Sequence, residues 1–182
     1  LARTYEEAVA IYNKYPNNML GIVTDVSFKR AGEKDKKAGL KFCSYIREKD
    51  EFLPIIIESS EVENQKDAMF LNACFLDKNS KKLPVDLRKT ILRNFGFGDF
   101  EFINPHTGEV IATVRNLKDL QNTIMSIPDE SLYYHGSRNH ISRWLYSRAM
   151  FPIAELLRQK QFTDISKKCD SLFLMLSYSI VK

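Results

Sequence analysis

The chain has 182 residues, enough for one domain or two small ones. It is 44% hydrophobic and 27% charged, the balance of a globular protein, and no apolar run approaches the roughly 18 residues that a membrane helix needs. The net charge of +4 is spread among interleaved carboxylates, so neither a membrane nor a nucleic acid is expected as partner. Cys43, Cys74 and Cys169 are an odd, widely spaced set without a CxxC pair, which points to reduced thiols and a cytoplasmic setting. Leu1-Ala2-Arg3-Thr4 is neither a signal peptide nor an initiator methionine, and the chain reads as a segment of something longer.

In chain order, Thr4-Tyr5-Glu6-Glu7 has capping-box spacing and Ala8, Ile11 and Tyr12 follow at helical spacing, predicting a helix over 4–15. Pro16-Asn17-Asn18 ends it, and a strand follows over 19–24. Residues 26–38, polar and Lys-rich, read as a loop. Leu40, Phe42, Cys43 and Ile46 support a helix to about residue 49. A second strand is expected over 54–58, a helix near 61–70, a third strand over 73–77, and a helix over 83–95 stopped at Gly96.

After Gly96 the pattern changes. Phe100–Ile103 and Val110–Val114 flank a turn-rich loop and predict a β-hairpin. Asn116 caps a helix to about Ser126, and Pro128-Asp129-Glu130-Ser131 is a break. Ile141, Trp144, Leu145 and Ala149 make an apolar helical stripe that Pro152 kinks or restarts. A last helix is expected over 164–181, with an apolar face suited to self-association or to a neighbouring domain. The expected class is therefore α/β: a parallel sheet of three visible strands in residues 1–95, then a hairpin and helical extension in 96–182.

Each of the three strands ends in a reactive side chain: Asp25, Ser59 and Lys78. Ligands of open α/β sheets bind beyond the carboxyl ends of the strands. A carboxylate, a hydroxyl and an ammonium at that edge suit phosphoryl handling, in which Asp25 is the nucleophile, Ser59 a donor to a phosphoryl oxygen and Lys78 the charge that offsets it. Taken singly, these residues read as a strand cap, a loop hydroxyl and a surface lysine.

Residues 1–95 resemble the receiver domain of two-component response regulators, a flavodoxin-like fold. Asp25 in Ile-Val-Thr-Asp-Val matches the phosphoacceptor, Gly39 the glycine opening the next helix, Ser59 the hydroxyl of the fourth strand and Lys78 the lysine of the fifth. Phe75 matches the aromatic switch position, though burial habits alone make it a core residue. The sequence departs from the pattern in a longer loop after Asp25, in Asn79 where a proline usually stands, and in Glu58 where an apolar residue is usual. The first strand, which carries the family's Mg²⁺-binding acidic pair, has no counterpart, so Asp25 is left with an incomplete Mg²⁺ site.

The whole chain, through Asn94–Phe100 and His135–His140, also resembles the receiver-like regulatory region of bacterial proteins related to phosphoenolpyruvate synthase and pyruvate phosphate dikinase. The resemblance implies a non-enzymatic regulatory segment that takes a phosphoryl group from a histidine kinase or small phosphodonor and contacts neighbouring domains or forms a homodimer. The alternatives are an unphosphorylated interaction scaffold, or a non-catalytic part of a phosphotransferase acting on phosphoenolpyruvate or pyruvate. His135 and His140 are five apart, which places them on different faces of one helix, and His135 reads as a packing or hydrogen-bonding residue. Arg138, Arg143 and Arg148 likewise fan out around a helix instead of lining one stripe.

Overall fold

A computed structural model describes residues 1–159, which divide into two compact units, one ending at Asn94 and one beginning at Phe95. The helix expected over 164–181 and Cys169 lie outside the described residues.

The first unit opens with α1 (Tyr5–Lys14). Thr4 is extended and its Oγ1 accepts from the Glu7 N–H at 3.2 Å, while the Glu7 carboxylate returns to the Arg3 N–H at 2.7 Å. The capping box is thus present with its return arm one residue upstream. Strands β1 (Ile22–Asp25), β4 (Ile55–Ser59) and β5 (Cys74–Asp77) form a parallel sheet in the order β1-β4-β5. β1 starts three residues later than expected and takes in Asp25, because its pairing with β4 begins at Ile22 opposite Ile55. Between the strands run α2 (Ala38–Arg47) and α3 (Asn64–Phe70), and α4 (Leu83–Asn94) follows β5.

β4 is central, and its near-continuous apolar run follows from burial on both faces. Ile55 and Ile57 join Tyr12, Leu40, Phe42, Cys43, Ile46 and Ala68 in one core, while Ile56, on the opposite face, is equally buried. β1 lies at an edge, so Val23, which shares the face of Ile56, remains 44% exposed. Arg47 fastens the bottom of the layer. Its guanidinium donates to the carbonyls of Leu71 and Leu53 at 2.8 Å, of Asn72 at 2.9 Å and of Asp50 at 3.2 Å.

Residues 26–38, expected as a loop, contain a hairpin of β2 (Phe28–Arg30) and β3 (Glu33–Asp35). Its two-residue turn, Ala31-Gly32, has φ of 52° and 84°. Left-handed backbone at both positions matches the twist of the strands. The hairpin is tied to α2 and α1 by surface contacts: Asp35 pairs with Lys41 at 2.7 Å and Arg30 at 3.7 Å, and the Ala31 N–H donates to Glu6 at 2.9 Å.

The second unit begins with Phe95 and Gly96, then pairs β6 (Phe100–Ile103) with β7 (Val110–Val114) as an antiparallel hairpin. Asn104 Oδ1 accepts from the N–H groups of His106 and Thr107 and shapes the connecting loop. α5 (Leu117–Ile124) is capped by Asn116, whose Oδ1 accepts from the Asp119 N–H at 2.9 Å. The segment read as a break, Pro128–Ser131, instead opens a further helix, α6 (Asp129–Ser137), with Pro128 at its cap and Asp129 and Glu130 in the first turn. Pro is compatible with a helix start, so its presence there marks a boundary and not an interruption.

α7 (His140–Tyr146) and α8 (Phe151–Gln159) complete the unit. Ala149, with φ 58°, separates them, and Pro152 sits at the second position of α8, where its missing N–H costs no helical bond. Trp144 is 1% exposed, packed among Phe100, Phe102, Leu132, Ile141 and Leu145. Its Nε1–H donates to the Gly98 carbonyl at 3.1 Å, and the Arg148 guanidinium lies over its ring at 4.0 Å from the centroid. Among the described residues, no helix is long and apolar enough to cross a membrane.

Candidate functional site

The register of the parallel sheet makes its strand ends level, with Asp25 beside Glu58 and Ser59 beside Asp77. Side chains alternate across a strand, so Asp25 and Glu58 share one face and Ser59 and Asp77 the other. Lys78 follows directly on β5 and reaches over the end of β4, bringing its Nζ to 2.5 Å from Asp25 Oδ2. The pair is half open to solvent, 35% exposed at Lys78 and 46% at Asp25. The Lys78 N–H also donates to the Ser59 carbonyl at 2.9 Å, which fixes the base of the lysine against β4.

α2 is seated directly on the end of β1. The Gly39 N–H donates to the Val26 carbonyl at 2.9 Å, and a Cβ at Gly39 would fall on the Asp25 carbonyl group. No side chain fits at that position without moving the backbone of the residue that carries the carboxylate. The Asp25 side chain itself turns back to the Ser27 N–H at 3.4 Å through Oδ1.

Ser59 is brought to the same sheet edge but is otherwise engaged. Its Oγ accepts from the Glu61 N–H and from Asn64 Nδ2, each at 3.0 Å, so the hydroxyl holds the entry to α3. Asn64 is itself buried and was not singled out by any pattern in the sequence. Phe75 is half-buried and packs against the core that contains Ile57, its register partner in β4. Asn79, in place of a proline, donates from Nδ2 to the Ser60 carbonyl at 2.9 Å and ties the loop after β5 to the loop after β4. The structure thus joins Asp25 to Lys78 directly, and holds Ser59 and Phe75 by other contacts.

Glu58 is the one acidic residue that the register sets beside Asp25. Mg²⁺ keeps several waters and is usually held by one or two carboxylates together with substrate phosphates. Here the Lys78 ammonium sits on Asp25 Oδ2, and Asp77 is turned to the Asn79 N–H at 2.8 Å. Among the described residues, no group of three or more His, Cys, Asp or Glu side chains is arranged to hold a metal ion. The carboxylates at this edge are thus Asp25, held by Lys78, and Glu58 beside it.

In the second unit His135 is packed and hydrogen-bonded as expected, and the spacing of five puts it and His140 on two separate helices. His135 lies in the last turn of α6 and His140 begins α7, and the left-handed residue Asn139, φ 59°, turns the chain between them. Their Nδ1 atoms lie 3.1 Å apart. The arginines spaced five apart are spent on the fold: Arg143, buried, donates to the Arg138 carbonyl at 3.0 Å, and Arg148 to the Gly96 and Gly98 carbonyls at 2.8 Å.

A scan of protein-family models finds no family that matches the chain, and searches of curated proteins and of solved structures find no relative.

Proposed function

We propose that residues 1–94 are a receiver-like signal-transduction module in which Asp25 accepts a phosphoryl group. The observation that carries this reading is the Asp25–Lys78 ion pair across the carboxyl edge of a three-stranded parallel sheet. In the transfer, an Asp25 carboxylate oxygen attacks the phosphorus of an acyl phosphate or of a kinase phosphohistidine. The bond from phosphorus to the donor breaks, the donor leaves with the electron pair, and an aspartyl phosphate forms. Such transfer is mostly positioning and charge neutralisation, and Lys78 supplies one positive charge already in contact with the nucleophile. The new charge draws Lys78 and the Ser59 hydroxyl, and through the loop after β4 alters the packing of Phe75. The proposed setting is a cytoplasmic protein related to phosphoenolpyruvate synthase, with a histidine kinase or small phosphodonor as source and neighbouring domains or a second copy as contacts.

A single pair of adjacent carboxylates, one of them already bound to Lys78, is a weak holder for the metal ion that would neutralise the reacting phosphoryl group. The expected result with acetyl phosphate and Mg²⁺ is slow, substoichiometric labelling seen by intact mass, abolished by Asp25→Asn and reduced by Lys78→Ala. Labelling that survives Asp25→Asn, or none after prolonged incubation of the folded protein, refutes the phosphoacceptor reading. The second reading is a scaffold of the same fold that is never phosphorylated. It is favoured by Ser59, whose hydroxyl already serves two donors of the α3 entry.

A further inference from the structure

The histidine pair of the second unit takes no part in the chemistry at Asp25. Its protonation pattern can be read from its partners. The Ile103 N–H of β6 donates to His135 Nε2 at 3.1 Å. A ring nitrogen that accepts a hydrogen bond carries no proton, so neutral His135 holds its proton on Nδ1. That Nδ1 lies 3.1 Å from Nδ1 of His140, which must then accept, leaving the His140 proton on Nε2. One hydrogen-bonded chain therefore runs from β6 through α6 to the start of α7.

Neither ring can take a second proton and keep this chain. On His135 the proton goes to Nε2, where it faces the Ile103 N–H. On His140 it goes to Nδ1, where it faces the His135 N–H. The groups around the pair do not compensate. β6 presents the rings of Phe100 and Phe102, at 5.0 and 5.5 Å from the His135 ring, and alternation puts Glu101 on the other side of the ribbon. α6 contributes the Tyr134 ring, 5.0 Å from His135 and 5.7 Å from His140, together with the Arg138 guanidinium. α7 contributes Arg143.

We propose that His135 and His140 form a proton-sensitive latch, which when neutral fastens the β6–β7 hairpin to α6 and α7 and when protonated releases it. Burial, with Arg138 acting in the same direction, holds His135 down at about 4. Burial, then His135, Arg143 and Arg138, hold His140 at about 3. The latch therefore stays shut across the neutral range and opens only in acid. Opening exposes both rings to water, so uptake of the first proton promotes the second.

The test is long-range ¹⁵N–¹H NMR of the imidazoles of the full chain at neutral pH, followed by acid titration of the Ile103 amide. The expected spectrum shows His135 protonated at Nδ1 and His140 at Nε2. The Ile103 amide should lose its protection in step with the histidine titration, by about a hundredfold for each pH unit where both protons are taken up together. His135→Gln keeps an acceptor for the Ile103 N–H but cannot titrate, and should move that loss to lower pH by about one unit or more. A proton on His135 Nε2 at neutral pH overturns the latch, as does an Ile103 transition unmoved in His135→Gln. Addition of Zn²⁺ that displaces the shared proton would identify the pair as metal ligands instead. If His135→Gln fails to fold, the wild-type spectrum still decides the tautomers on which the latch depends.

Discussion

Replacement of Gly39 by alanine sets two opposing effects against each other at the end of β1. Alanine is favoured over glycine inside a helix by about 1 kcal/mol, and α2 carries Gly39 at its second position. Against this, the added Cβ would stand 2.9 Å from the Asp25 carbonyl carbon and 3.0 Å from Val26 Cα, and closer still to the Asp25 oxygen. All three are backbone atoms of a strand in register with β4, so no flexible side chain can give way. Overpacking of this kind costs about 1–3 kcal/mol, and stretching the Gly39–Val26 hydrogen bond adds about 1 kcal/mol. The steric term wins, and the expected net loss is about 2 kcal/mol, or roughly 10 °C in Tm for a unit of this size. The assay is thermal unfolding followed by far-UV circular dichroism, with Gly32→Ala as reference. Gly32 has φ 84° but nothing within 4 Å of its Cβ position, so that change costs only the left-handed penalty of about 1 kcal/mol. A Gly39→Ala protein as stable as wild type, or more stable, would refute the seating of α2 on the Asp25 backbone.

Further expectations concern stability at four other places. Ala31→Gly relieves a left-handed alanine in the β2–β3 turn and should raise stability by about 1 kcal/mol in urea titrations; a loss would show that the turn is not the one described. Arg47→Met strips donors from four carbonyls and should cost about 3 kcal/mol, with unchanged stability counting against the scaffold role given to this residue. Lys78→Met removes a half-exposed ion pair and should change stability by less than about 1 kcal/mol, so that any effect on phosphorylation can be separated from unfolding. For His135 the sign is fixed by the direction of its shift. The unfolded chain takes up the proton near 6.5 while the folded ring does so only near 4, so the neutral ring's contribution is intact above 6.5 and is lost as pH falls from 6.5 to 4. That loss is about 3 kcal/mol across the interval, and equilibrium unfolding of wild type and His135→Gln at pH 7 and pH 4.5 measures it.

The sequence by itself determined the elements whose signal is local. Alternating apolar runs and helical stripes gave the three parallel strands and the helices between them, and Thr4 and Asn116 marked two helix starts because capping chemistry is read within three or four residues. Asp25, Ser59 and Lys78 were placed at one edge because successive parallel strands with right-handed crossovers end together. The β2–β3 hairpin was not legible, since Ala31-Gly32 lacks the Asn-Gly or Asp-Gly signature and its short charged strands show no apolar alternation. α6 was hidden by Pro128, which marks helix starts as readily as breaks.

Only the tertiary structure decided which side chains meet. Sheet register set Glu58 beside Asp25 and turned Ser59 to the other face, a distinction that one residue of slippage would reverse. Long-range acceptors gave Arg47 its role, because carbonyls left open by a helix end and two loops have no sequence signature. The left-handed turn at Asn139 brought His135 and His140 together where a continuous helix would have kept them apart. Local periodicity fixes elements because it depends on neighbours in the chain, whereas a site depends on backbone directions and registers that are settled only when those elements pack.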